Sequence, residues 1–234
     1  HRELLPELVF LSLVGLLFAG SLQAETLRVR HDHDPWGKCE GSLTISDGGI
    51  AYEPDDEEEH ARDWSWIDIQ SVDRYSTDRF SILSYHDQKW LLGRDRPWDF
   101  TLIDPENPGL TDELFARIRE YSPRPLVDRL PRPIQADYTV AVKHLHTFGG
   151  CEGSLHFGEE WIVYETDHDE DARSWRRDGE VVNVWSTGRY DLELEVYERE
   201  GEDLQKTRRF RFQLKRPLDE EYYSQLRRAM LPPR

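Results

Sequence analysis

The chain has 234 residues, room for one large domain or two of about 100 each. Its 47 Asp+Glu outweigh 30 Lys+Arg for a formal net charge of -17. That charge repels phosphate backbones and anionic headgroups, and so argues against nucleic-acid and anionic-membrane partners. Hydrophobic residues are only 37%, but aromatics reach 12%, which points to an aromatic-cored folded protein under a charged surface rather than a disordered one.

In chain order, residues 1–24 read as a signal peptide. The stretch "LVFLSLVGLLFAG" (Leu8–Gly20) is apolar and uncharged, and "SLQA" ends it at small residues, with cleavage expected after Ala24. It is shorter than the roughly 20 residues that a membrane-spanning helix requires. The mature protein is therefore expected to be exported, periplasmic or secreted.

A first module is expected over residues 25–121. Alternating apolar and polar residues predict strands at Leu27–His33, Cys39–Ser46, Gly49–Glu53, Ala61–Trp66, Ile69–Tyr75, Arg79–Tyr85 and Arg96–Ile103. A helix over Thr111–Tyr121 follows, with Leu114, Phe115, Ile118 and Tyr121 on one stripe, acids in its first turn and Arg119 in its last. Residues 122–137 form a Pro-rich linker, "SPRPLVDRLPRP" at its centre, expected to be stiff and extended. A second module is expected over 138–230. There "GSLHFGEEWIVYE" answers "GSLTISDGGIAYE", "ARSW" answers "ARDW", and "FRFQLKRP" answers "WDFTLIDP". The repeat is domain-sized, longer than a solenoid unit. Its closing helix, over 218–230, stripes Tyr222, Tyr223, Leu226 and Met230.

Seven strands and then one amphipathic helix, written twice, resembles the pleckstrin-homology-like (PH-like) fold. The resemblance implies a mainly β protein of two tandem seven-stranded barrels or sandwiches, each capped by a C-terminal helix. The chain is also similar to uncharacterised exported bacterial proteins with tandem modules of this kind. Phosphoinositide-binding members carry several Lys/Arg in the first hairpin loop. Here "DPWGK" (Asp34–Lys38) and "TFGG" (Thr147–Gly150) offer one lysine between them, which argues against specific binding to anionic lipid.

The string CEGSL occurs at Cys39–Leu43 and at Cys151–Leu155, each time just after an H-x-H. Folding each hairpin about its loop sets His33 against Cys39 and His31 against Gly41, and likewise His146 against Cys151 and His144 against Gly153. Strand alternation then puts His31, His33 and Cys39, and His144, His146 and Cys151, on the inner face, with the glycines leaving room for imidazoles. Two readings compete. The preferred one is a buried polar cluster with no metal, its thiols reduced and its imidazoles held by neighbours. The alternative is a His-His-Cys site for zinc or copper. A Cys39–Cys151 disulfide is a third reading, disfavoured because it would have to join two separate cores.

The acidic loops Glu53–His60 and Glu165–Ala172 lack the order of a calcium loop and read as solvated. Trp36 and Phe148 occupy equivalent hairpin loops and are the candidate partner-binding residues, with packing on the module's own rim the plainer alternative. No G-x-S-x-G, H-E-x-x-H or Walker loop is present, so no catalytic residue is assigned. The expected function is a non-catalytic binding or scaffold protein that recognises a protein or peptide and has no cofactor. The alternative is a metal-binding protein. The oligomeric state is left open.

Overall fold

The computed structural model describes residues 24–32, 37–56, 58–88, 95–168, 170–198 and 207–230. The leader expected over 1–24 lies outside them except for Ala24, and so do His33 and Trp36.

The first sheet is built from β1 (Glu25–Asp32), β2 (Lys38–Ile45), β3 (Gly49–Pro54), β4 (Arg62–Ser65), β5 (Ile69–Arg74), β6 (Arg79–Gln88) and β7 (Asp95–Leu102), followed by helix α1 (Asp112–Tyr121). A two-residue strand, β8 (Val127–Asp128), joins the sheet after the helix. The second sheet comprises β9 (Tyr138–Leu145), β10 (Gly150–Phe157), β11 (Trp161–Thr166), β12 (Arg173–Arg176), β13 (Val181–Trp185), β14 (Asp191–Val196) and β15 (Arg208–Leu214), followed by α2 (Glu220–Met230). The strand orders are β4-β3-β2-β1-β7-β6-β5-β8 and β12-β11-β10-β9-β15-β14-β13. The expected order of seven strands and a helix therefore occurs twice. Of the two forms expected, barrel or sandwich, the closed barrel is not formed: among the described residues each sheet is hydrogen-bonded in an open order.

Alternation sets which residues enter the core. In β1, Leu27, Val29 and His31 are buried while Arg28 and Arg30 are half-exposed between them. Trp64, Trp66, Trp98, Trp175 and Phe210 are all core residues. Helix α1 starts at Thr111, whose Oγ1 accepts the Leu114 N–H at 3.2 Å. It buries Leu114, Phe115 and Ile118 against the first core, at roughly 1.5–3 kcal/mol for each side chain before entropy is counted. Helix α2 is capped by Asp219, which accepts the Tyr222 N–H at 2.8 Å, and it buries Leu226.

The linker is not only a spacer. β8 pairs in parallel with β5, Asp73 opposite Val127 and Arg74 opposite Asp128. A buried ion pair fastens it: Arg74 donates to both Asp128 carboxylate oxygens, at 3.0 and 2.7 Å. The same guanidinium reaches the Leu110 carbonyl at 2.9 Å and Asp112 at 2.8 Å, so strand, linker and helix start share one cation. Beyond β8 the chain runs onto the second sheet. Arg129 donates to the Glu170 carbonyl at 2.6 Å, and Ser174 Oγ donates to the Leu130 carbonyl at 2.6 Å and accepts the Arg132 N–H at 2.9 Å. Arg119 of α1 pairs with the buried Glu180 at 2.7 Å. The connector thus belongs to the packing of both sheets.

Candidate functional site

The repeated CEGSL string forms the start of β2 and of β10. Its pairing differs from the expected one by two residues. His31 faces Cys39, Val29 faces Gly41 and Leu27 faces Leu43. In the second hairpin His144 faces Cys151, Val142 faces Gly153 and Val140 faces Leu155. A slide of two keeps every side chain on its face, so the core assignment survives and the partner assignment does not.

The glycines serve a different neighbour from the one expected. A Cβ on Gly41 would come 2.8 Å from Cε2 of Tyr52, and one on Gly153 would come 2.7 Å from Cε2 of Tyr164. Each tyrosine crosses from the third strand of its sheet and donates its hydroxyl to the cysteine's own carbonyl. Tyr52 reaches Cys39 O at 3.2 Å, and Tyr164 reaches Cys151 O at 3.0 Å. Burial pushes the Tyr164 phenol up to about 12, so it stays a donor at neutral pH.

The two histidine patches then diverge. In the first sheet His31 is buried and stacks on Trp98, 4.2 Å between ring centroids. Its Nδ1 lies 3.0 Å from the Asp99 carbonyl, which can only accept, so the proton is on Nδ1. Cys39 is buried, its sulfur 3.0 Å from the Tyr52 hydroxyl. His31 and Cys39, the two residues of the first set that are described, thus lie in an enclosed polar cluster walled by aromatic rings.

In the second sheet the corresponding side chains gather on a carboxylate. His146 Nε2 lies 3.1 Å from Asp171 Oδ2, and His144 Nδ1 lies 3.9 Å from Asp171 Oδ1. The Cys151 thiol donates to Asp171 Oδ2 at 3.0 Å. Unlike Cys39, Cys151 is only half-buried, which departs from the expectation of two buried thiols. Neither cysteine is in a disulfide. Burial and the neighbouring His146 push His144 down to about 4, so its ring is neutral at pH 7. Burial and the adjacent Asp171 push the Cys151 thiol up to about 11. Burial alone would raise the Asp171 carboxyl, but the Cys151 hydrogen bond and the charges of His146, His144 and Arg173 hold it below its usual range.

Above this group, His144, His146, Phe148, Arg208, Arg209 and Arg211 line a cleft of about 500 Å3. Phe148 is 94% exposed and does not pack on the rim of its sheet. The next residue, Gly149, has φ +85°, a turn conformation suited to glycine.

Asp171 was missed by sequence reasoning because it stands in a run of acids that reads as solvent-facing. A signal was present. "DARSW" answers "HARDW", which sets Asp171 against His60, and both are metal-ligating residue types beside an H-x-H hairpin.

No family model matches the chain and no curated protein does, so the expected likeness to exported bacterial proteins gains no support. Among solved structures the chain is similar to one described as the Spt16D Pob3N heterodimer, at 11% identity and a TM-score of 0.31, over 74% of this chain and 82% of that one. So slight a likeness leaves function to be argued from the residues themselves.

Proposed function

We propose that the chain is a non-catalytic binding protein that uses the β9–β10 hairpin tip and the adjoining arginine face to hold an acidic, apolar-anchored segment of a protein partner. The observation that carries this is Phe148, a large aromatic side chain 94% exposed beside a cleft lined by three arginines of β15. Full exposure of such a ring costs hydrophobic free energy that a partner recovers on covering it. In a chain of net charge -17, Arg208, Arg209 and Arg211 gather about one cleft, and their charge complements carboxylates. Arg208 and Arg209 already lean on Glu198 and Glu195, whereas Arg211 is exposed with no ion pair among the described residues. The order of seven strands and a helix in each sheet supports the PH-like reading. The apolar segment Leu8–Gly20 supports a place outside the cytosol.

The test is fluorescence anisotropy with labelled short peptides that carry several Asp/Glu around one aromatic or aliphatic residue, compared with charge-reversed peptides. Binding to the acidic set, weakened by salt and by both Phe148→Ala and Arg211→Glu, is the expected result. Equal binding to the reversed peptides, or binding untouched by the two substitutions, would show that this face is not the docking site.

A further inference from the structure

The structure assigns a zinc site to the second sheet, in which His144 Nδ1, His146 Nε2 and one Asp171 carboxylate oxygen are the protein ligands and a fourth position opens toward the cleft. It opens on the same cleft as the proposed partner face, but it rests on other side chains than Phe148 and Arg211 and does not require that face to bind anything.

The first support is geometric. One donor atom from each of His144, His146 and Asp171 lies within 4.8 Å of the other two, and this is the one such group among the described residues. Donors about 2.0–2.1 Å from a tetrahedral zinc stand roughly 3.3–3.4 Å apart. His146 Nε2 lies 3.1 Å from Asp171 Oδ2 and His144 Nδ1 lies 3.9 Å from Oδ1, so the one carboxylate faces both imidazoles. Bringing three donors that lie within 4.8 Å of one another to that spacing takes side-chain movements of up to roughly 1.4 Å. Two imidazoles and a carboxylate with an open position form a donor set that zinc commonly takes.

The second support is independent of spacing. The His144 side chain is only 4% exposed, yet its Nδ1 has no hydrogen-bond partner, and the half-buried His146 Nε2 has none of good geometry either. Buried polar atoms are normally satisfied, and two neighbouring orphans aimed at one carboxylate leave a place for a cation between them. The first sheet supplies the contrast. There His31 Nδ1 is already committed to the Asp99 carbonyl at 3.0 Å, and the position answering Asp171 is His60. The same hairpin closes its histidine in one sheet and leaves it unfilled in the other.

The surroundings fit the assignment. Cys151 holds Asp171 Oδ2 at 3.0 Å, an outer contact that orients the carboxylate. Glu198 pairs with Arg173 at 2.8 Å and with Arg208 at 3.0 Å, which offsets part of the positive charge that would oppose a metal ion.

The experiment uses the full chain, purified without a histidine tag and stripped with chelator. Zinc is titrated by calorimetry, and cobalt(II) is added in parallel to read its visible absorption. The expected result is zinc binding that His146→Gln and Asp171→Asn each weaken by roughly a hundredfold or more, since loss of an outer-shell partner alone costs about 10–100-fold. Cobalt should give intense bands of low coordination number that both variants lose. His156→Gln, on the outer side of β10, should leave both signals unchanged. Thermal melts confirm that each variant is folded, which matters most for the buried His144. No zinc binding by the folded wild-type chain would overturn the assignment. So would zinc binding that survives in both the H146Q and D171N variants.

Discussion

Tyr164 lies across Gly153, with its ring edge where a Cβ would stand and its hydroxyl on the carbonyl of Cys151; Tyr52 stands in the same relation to Gly41 and Cys39. This lock explains why the glycine of the string is repeated. The cysteine opens the strand, and the glycine lets the tyrosine of the third strand pass over it to reach the cysteine's carbonyl. Gly41→Ala and Gly153→Ala should therefore destabilise the protein by about 1–3 kcal/mol each through overpacking. The methyl group would meet backbone as well as ring, so the strands cannot simply relax around it. Tyr164→Phe, which loses one hydroxyl bond and no packing, should cost only about 1 kcal/mol. Urea midpoints order the three variants, and a tyrosine variant that costs more than the glycine variants would contradict the lock.

The linker strand offers a second prediction. Arg74 and Asp128 are both fully buried, and removing one partner of such a pair costs about 3–5 kcal/mol. Asp128→Ala should sit at the low end, because Asp112 remains on the same guanidinium. Arg74→Met with Asp128→Leu should cost much less than the sum of the single changes. Proteolysis within 122–133 should rise in Asp128→Ala and fall back in the double variant.

The sequence-readable part of this fold is the part that period-two alternation carries. The first seven strands and both helices fall within a few residues of their expected positions, because burial of Leu27, Val29, Leu43 and their neighbours demands that pattern. Hairpin register was not legible, since a slide of two residues leaves alternation unchanged and only loop geometry distinguishes the two registers. β8 is two residues long and has no periodicity to read; what fixes it is an ion pair between residues 54 positions apart. The histidines and cysteines were visible from their repetition. Asp171 was hidden among acids, and only its position opposite His60 in the repeat sets it apart.

Phe148 should contribute almost nothing to folding. Its side chain is nearly as exposed as in an unfolded chain, so Phe148→Ala should shift stability by no more than about 0.5 kcal/mol. Phe115→Ala, the same change in the first core, should cost about 3–5 kcal/mol. Comparable losses at both sites would mean that the hairpin tip is packed in solution.

The acid limb of stability should trace to Glu198. Its carboxylate is buried and accepts from Arg173 Nε at 3.0 Å, from Arg173 Nη2 at 2.8 Å and from Arg208 Nη1 at 3.0 Å. Burial alone would raise this carboxyl, but the Arg173 charge and hydrogen bonds, helped by Arg208, hold it below its ordinary value of 4.5. A lowered carboxyl means that the unfolded chain takes up the proton first as the pH falls. Stability from this group is therefore present above about pH 4.5 and is lost as the pH drops through the folded value. Glu180 and Asp73 act with the opposite sign: burial raises both above their usual range, against the pull of Arg119 and Arg129, so each favours the folded state as acid is added. The wild-type acid curve is a sum of these effects, and the difference from Glu198→Gln isolates one of them. At pH 7 that substitution should cost about 3–5 kcal/mol, because Arg173 keeps its buried charge and loses its counter-ion. Below pH 4.5 the gap should narrow, as the unfolded wild-type chain takes up the proton and, at lower pH still, the native carboxylate does too. Urea unfolding of both proteins between pH 7 and pH 3 measures the gap directly, and a constant gap across that range would assign the acid sensitivity to other carboxylates.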